Sequence, residues 1–188
     1  SISALYGRYK DYIIKNNTFN NVMKAIDINM AGNGNITIQN NDMPGIVYQP
    51  LTSSIITYGI RIAAATLVTG NAAHLTIKGN TISGEGKYGI WLSNLDFGAT
   101  RSIHDTWQGV YDNDVTMNHT TGTGWYGIRL ENCENARVAS NEVVGHSNSY
   151  LLDKVAISLS QSTDALVACN TTDLTYQGLQ FENDCAGA

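Results

Sequence analysis

The sequence predicts an all-β solenoid, and two alternating motifs predict it. The first motif is an apolar residue, two variable residues, Asn, one variable residue and usually a second apolar residue. The second is a small residue followed by apolar, variable and apolar positions. The two motifs alternate along the chain with a mean period of about 31 residues, within the range expected for solenoids.

The asparagine motif reads Ile14 to Asn17 to Phe19, Ile38 to Asn41 to Met43, and Ile77 to Asn80 to Ile82. It continues as Val110 to Asn113 to Val115, Val138 to Asn141 to Val143, and Val167 to Asn170, where Thr172 takes the last apolar place. Asn at a fixed position in each copy predicts a ladder of stacked side-chain amides, each bonded to the next.

The second motif reads Ala25-Ile26-Asp27-Ile28, Gly59-Ile60-Arg61-Ile62 and Gly89-Ile90-Trp91-Leu92. Its later copies are Gly127-Ile128-Arg129-Leu130, Ala156-Ile157-Ser158-Leu159 and Gly178-Leu179-Gln180-Phe181. Alternation over so few residues predicts strand rather than helix. Strands this short cannot bury a face alone. Stacking successive copies gives each a neighbour about 4.8 Å away and a continuous interior. The small residue before each Ile suits a tight bend into the strand. An antiparallel sandwich also uses short strands, but the fixed period favours the stack.

These copies resemble the repeats of right-handed parallel β-helices, the pectate-lyase-like fold, over roughly residues 12–185. The resemblance implies an all-β, right-handed parallel β-helix of about six coils, a single domain over residues 1–188. That fold carries lyases, hydrolases, epimerases, phage tailspikes and inert stalks, so the fold alone assigns no activity.

Composition agrees with a solenoid. There are 18 Gly and 2 Pro, and charged residues make up 14% of the chain against a usual quarter. An apolar content of 43% is enough for a core. The net charge of −5, with no basic stripe to neutralise phosphates, argues against nucleic acid as a partner. No apolar run reaches membrane-spanning length, so no membrane span is expected. Terminal solenoid coils need polar caps, and neither end of the chain carries an evident one. The expectation is therefore a fragment of a longer chain.

Taken in order, residues 1–30 hold the first coil, 31–62 the second and 63–92 the third. A loop from Pro44 to Thr57 divides the second. Longer excursions run from Ser93 to Gln108, Thr116 to Trp125 and Val144 to Lys154. Such excursions sit on one side of a solenoid and carry its specificity.

Three cysteines are an odd number. The run Val167-Ala168-Cys169-Asn170-Thr171-Thr172, then Gly178-Leu179-Gln180-Phe181 and Cys185, is similar to repeats of large secreted bacterial surface proteins. That likeness implies a Cys169–Cys185 disulfide. Read from the residues alone, buried free thiols packed as small apolar groups serve as well. Cys133 has no evident partner.

In the second motif the flanking apolar residues point inward, so the middle residue points out. The outward file is Asp27, Arg61, Trp91, Arg129, Ser158 and Gln180. Arg61, Trp91 and Arg129, on three successive coils, are the candidate binding residues. Aromatic rings stack on pyranose faces and guanidinium forks grip carboxylates, so the trio suits an acidic oligosaccharide. Against this, every strand must place something outward. Trp91 has a second explanation, burial beneath the 93–108 excursion. Tyr58, Tyr88 and Tyr126 each precede the Gly-Ile step and predict an aromatic stack along the coils.

His104, His119 and His146 fall in the excursions near Asp105, Trp107, Trp125 and Tyr150, and His74 lies apart. Together they could form a general acid–base cluster, but scattered loop histidines are ordinarily not catalytic, and none of these has metal-ligand spacing. Galacturonan hydrolases of this fold carry an Asn-Thr-Asp and an Asp-Asp pair, and alginate epimerases carry Asp-Pro-His; this sequence has neither. Asp112 and Asp114 flank Asn113 and give only a slight calcium signal. No catalytic residue, metal site or cofactor is assigned.

The leading expectation is a non-catalytic structural or adhesive segment of a larger bacterial surface or secreted protein, extracellular. Its partners would be the remainder of the parent chain or a cell-surface glycan. The competing expectation is a carbohydrate-active enzyme (lyase, epimerase or hydrolase) or a polysaccharide-binding module for acidic glycans, using the Arg61–Trp91–Arg129 face.

Overall fold

The computed structural model describes residues 2–4, 11–30, 34–47, 56–98, 108–118, 124–146, 154–183 and 185. Among them the chain is strand and turn, without helix. Strand β1 (Ile2–Ala4) precedes a first coil made of β2 (Tyr12–Lys15), a bridge at Thr18 and β3 (Lys24–Met30). The next coils are β4 (Ile36–Gln39), β5 (Asp42–Ile46) and β6 (Tyr58–Ala64), then β7 (Leu75–Lys78), β8 (Thr81–Gly84) and β9 (Tyr88–Ser93). After these come β10 (Gly109–Tyr111), β11 (Asp114–Met117) and β12 (Trp125–Glu131), then β13 (Arg137–Ala139), β14 (Glu142–Val144) and β15 (Lys154–Ser160). The last coil is β16 (Leu166–Ala168), β17 (Thr171–Asp173) and β18 (Gln177–Glu182).

Three parallel sheets result. Sheet A runs β1-β3-β6-β9-β12-β15-β18, sheet B runs β2-β4-β7-β10-β13-β16, and sheet C runs β5-β8-β11-β14-β17. This is the parallel β-helix expected from the repeat, with six asparagine-bearing coils. Matching residues of successive coils pair directly. Ile26, Ile60, Ile90, Ile128, Ile157 and Leu179 form one line in sheet A. Ile14, Ile38, Ile77, Val110, Val138 and Val167 form another in sheet B. These lines fill a continuous buried interior, so each coil's apolar face is covered by its neighbours rather than by a second layer.

The coil has one more strand than the two motifs suggest. The asparagine motif is a corner, not one strand: its first apolar residue lies in sheet B and its second in sheet C. The residue before each ladder asparagine is left-handed: Asn16 (φ 56°), Asn40 (φ 54°), Gly79 (φ 62°), Asp112 (φ 54°), Ser140 (φ 55°) and Cys169 (φ 55°). Asn, Asp and Gly are the residues that adopt this conformation most readily. It bends the chain and lets the following Asn side chain turn inward.

There the ladder forms as expected. Asn17, Asn41, Asn80, Asn113 and Asn141 each donate from backbone N–H and from Nδ2 to Oδ1 of the next, ending on Asn170, at 2.9–3.1 Å. From Asn41 to Asn141 these residues are at most 1% exposed. Nδ2 also donates to a carbonyl of the preceding coil, as Asn113 does to Ile77 O at 3.0 Å. A buried amide is therefore satisfied on every side.

Three local expectations are corrected. Pro44 lies in β5 rather than in a loop, and residues 48–55 of the expected loop lie outside the described residues. The glycines before each Ile are needed for space rather than for a bend. Their backbone is not left-handed, but a Cβ on Gly89 would lie 2.5 Å from Gly127 O and 2.5 Å from Val115 Cγ1. The three cysteines are free: Cys133 is buried, Cys185 partly buried and Cys169 exposed. Cys169 sits at the corner between sheets B and C, while Cys185 follows sheet A and lies 3.3 Å from Leu159 O. Different corners of the coil hold the two thiols.

Candidate functional site

Sheet A positions the outward file. Its strands pair Asp27 with Arg61, Arg61 with Trp91, Trp91 with Arg129, Arg129 with Ser158 and Ser158 with Gln180. The six predicted residues therefore stand in one row, one per coil. Arg61, Trp91 and Arg129 are consecutive within it.

The row is less exposed than alternation implies. Arg129 is only 9% exposed and Ser158 fully buried, while Asp27, Arg61, Trp91 and Gln180 are partly buried. The cause is the length of the side chains beside them, which lie across the sheet and meet one another. Tyr88 stacks on Trp91, with ring centroids 4.8 Å apart and planes at 23°. Tyr88 also stacks on Tyr126 at 5.6 Å and 17°. Tyr58 meets Trp91 edge-on at 6.3 Å. The predicted tyrosine stack is thus real from Tyr88 to Tyr126, and Trp91 inserts between that pair and Tyr58.

Charges are paired along the same row. Arg61 Nη1 donates to Asp27 Oδ1 at 2.7 Å and to Asn29 Oδ1 at 2.9 Å, and its guanidinium lies 5.1 Å from the Trp91 ring centre. Trp91 Nε1 donates to Glu131 Oε2 at 2.8 Å. Arg129 bonds Ser158 Oγ at 3.2 Å, Glu131 Oε1 at 3.2 Å and Glu182 Oε2 at 3.3 Å, over the Tyr126 ring at 4.4 Å. Glu131 and Glu182 join the site from the strand ends. Both were missed in the sequence because they lie outside the four-residue motif, although each stands two positions past the outward residue of its own strand.

Electrostatics follow from this packing. Burial raises the Tyr88 pKa to about 12, with Arg129 pulling it down and Glu131 pushing it up. Burial and the Asp27 carboxylate raise Tyr58. Burial would lower Arg129, but Glu131, Tyr126, Glu182 and Tyr88 together raise its pKa. All three shifts favour the ordinary protonation state near neutrality. None of these three groups is poised to exchange a proton there.

The other candidates do not converge on it. Trp125 faces the interior and is fully buried. His74 is exposed and His146 half-buried. His104, Asp105, Trp107, His119 and Tyr150 lie outside the described residues, as do residues 99–107 of the excursion considered as a cover for Trp91. Asp112 is the exposed left-handed corner residue and pairs with Lys78 Nζ at 3.3 Å. Among the described residues no three His, Cys, Asp or Glu side chains gather as metal ligands.

Residues 3–172 match the family described as right-handed β-helix region. The chain belongs to that family, in agreement with its three parallel sheets. No curated protein and no solved structure gives a match. Among the described residues no helix is long and apolar enough to cross a membrane.

Proposed function

We propose that the chain is a non-catalytic structural or adhesive β-helix segment of a larger extracellular bacterial surface protein. In this reading the outward row of sheet A ties coils together rather than receiving a ligand. The observation that carries it is the state of Trp91. Tyr88 stacks on its ring at 4.8 Å, the Arg61 guanidinium lies 5.1 Å from its centre and Glu131 takes its N–H. A pyranose would have to displace one of these partners to stack on the ring. Arg61 and Arg129 are likewise engaged by Asp27, Glu131 and Glu182, so a uronate would compete with carboxylates already in place. The extracellular bacterial assignment rests on the likeness of the 167–185 repeat to secreted surface proteins.

Uronate oligosaccharides titrated against intrinsic Trp fluorescence test the reading. It expects no saturable change. A saturable shift that disappears in Trp91→Ala would make the Arg61–Trp91–Arg129 face a binding site for acidic glycans and overturn it.

A further inference from the structure

We propose that the aromatic row on sheet A is a one-electron relay: Trp91 takes an oxidation from a radical oxidant in solvent, and Tyr58 receives it from Trp91. Such a relay needs rings in contact, an accessible entry, and a base at each ring for the proton that leaves with the electron. The rings are in contact. Trp91 meets Tyr58 edge-on with centroids 6.3 Å apart and stacks on Tyr88 at 4.8 Å, and Tyr88 stacks on Tyr126 at 5.6 Å. Four rings therefore run unbroken over β6, β9 and β12. The entry is Trp91, which is partly exposed, whereas Tyr58 is 2% exposed. The contacts that tie the coils together are also the path.

Charge makes the bases necessary. The Arg61 guanidinium lies 5.1 Å from the Trp91 ring centre, and Lys24 Nζ lies 5.3 Å from that of Tyr58. A cation so placed opposes a positive charge on the ring, so the electron leaves readily only when a proton leaves with it. Trp91 Nε1 donates to Glu131 Oε2 at 2.8 Å, and the Asp27 carboxylate lies against the Tyr58 hydroxyl. Arg129 holds Glu131, and Arg61 holds Asp27. In the first step Trp91 gives one electron to the oxidant and its Nε1 proton to Glu131. In the second, Tyr58 gives one electron to the indolyl radical and its hydroxyl proton to Asp27, while Glu131 returns its proton to Nε1. The indole is restored, and the oxidation rests on a buried phenol.

Laser flash-quench of the 188-residue chain with photo-oxidised ruthenium tris-bipyridine, followed by transient absorption, tests this. An indolyl radical should appear first and decay into a tyrosyl radical. The conversion should not depend on protein concentration and should slow several-fold in heavy water. Trp91→Phe should lose the conversion, which separates Trp91 from the other tryptophans. Tyr58→Phe should lose most of the tyrosyl growth and lengthen the indolyl lifetime several-fold, while Tyr88→Phe should leave both as in the parent. Asp27→Asn should slow the second step. Each variant should keep the far-UV circular dichroism of the parent. Indolyl decay without tyrosyl growth, growth that scales with protein concentration, growth that survives Trp91→Phe or Tyr58→Phe, or growth lost in Tyr88→Phe would each overturn the proposal.

Discussion

Asn113→Ala removes the middle rung of the ladder. Asn113 is fully buried. Its Oδ1 accepts from Asn80 N at 3.0 Å and Asn80 Nδ2 at 2.9 Å. Its Nδ2 donates to Ile77 O, Tyr111 O and Asn141 Oδ1 at 2.9–3.0 Å. Alanine leaves the Asn80 backbone N–H without any partner and deprives the Asn80 amide of one. The orphaned N–H costs about 1–3 kcal/mol, while the Asn80 amide keeps Ile38 O and Lys78 O as acceptors. A water entering the vacated space recovers part of this. The expected loss is about 2 kcal/mol in urea unfolding, read from the midpoint at unchanged slope. Asn17→Ala is the internal control. Asn17 is exposed and its Oδ1 accepts no bond among the described residues, so its loss should cost under about 1 kcal/mol. Equal costs for the two substitutions, or a cost below about 0.5 kcal/mol for Asn113→Ala, would refute the ladder as a source of stability.

Gly89→Ala should destabilise by about 1–3 kcal/mol because the new methyl has no room against Gly127 O and Val115; a neutral result in thermal unfolding would show that the coils can separate there. Cys169 should react with a thiol reagent in the folded protein, while Cys133 should react only after unfolding, since burial raises its pKa to about 12. That shift and the one at Tyr88 also predict a pH dependence. The folded state keeps protons that the unfolded state releases, so stability is fully present below about pH 9 and falls as pH rises to about 12. Denaturation midpoints independent of pH over that window would contradict the burial of both groups.

The fold was legible because a solenoid writes its period into the chain. Ile60, Ile90 and Ile128 follow small residues at fixed offsets and are in register and buried. The third strand of each coil was hidden because the corner before each ladder asparagine depends on one left-handed residue. Ser140 and Cys169 occupy that place as well as Asn40 and Gly79, so residue type marks it only in part. Alternation placed Trp91 and Arg129 outward correctly. It could not show that Tyr88, Glu131 and Glu182 would reach across from neighbouring coils and largely bury Arg129, because side-chain reach between coils has no period along the sequence. Free thiols at Cys169 and Cys185 went against the implied disulfide for a related reason: Cys169 sits at the left-handed corner before Asn170, whereas Cys185 follows β18 of sheet A.

Unfolding of Trp91→Ala tests most directly whether the outward row of sheet A is structural. Trp91 joins three coils through Tyr88 and Tyr58, Arg61 and Glu131. Its removal should cost about 3–5 kcal/mol in urea unfolding, like other large-to-small changes at packed sites. A loss under about 1 kcal/mol, with the fold intact, would mean that the ring does not hold the coils together and would contradict the account.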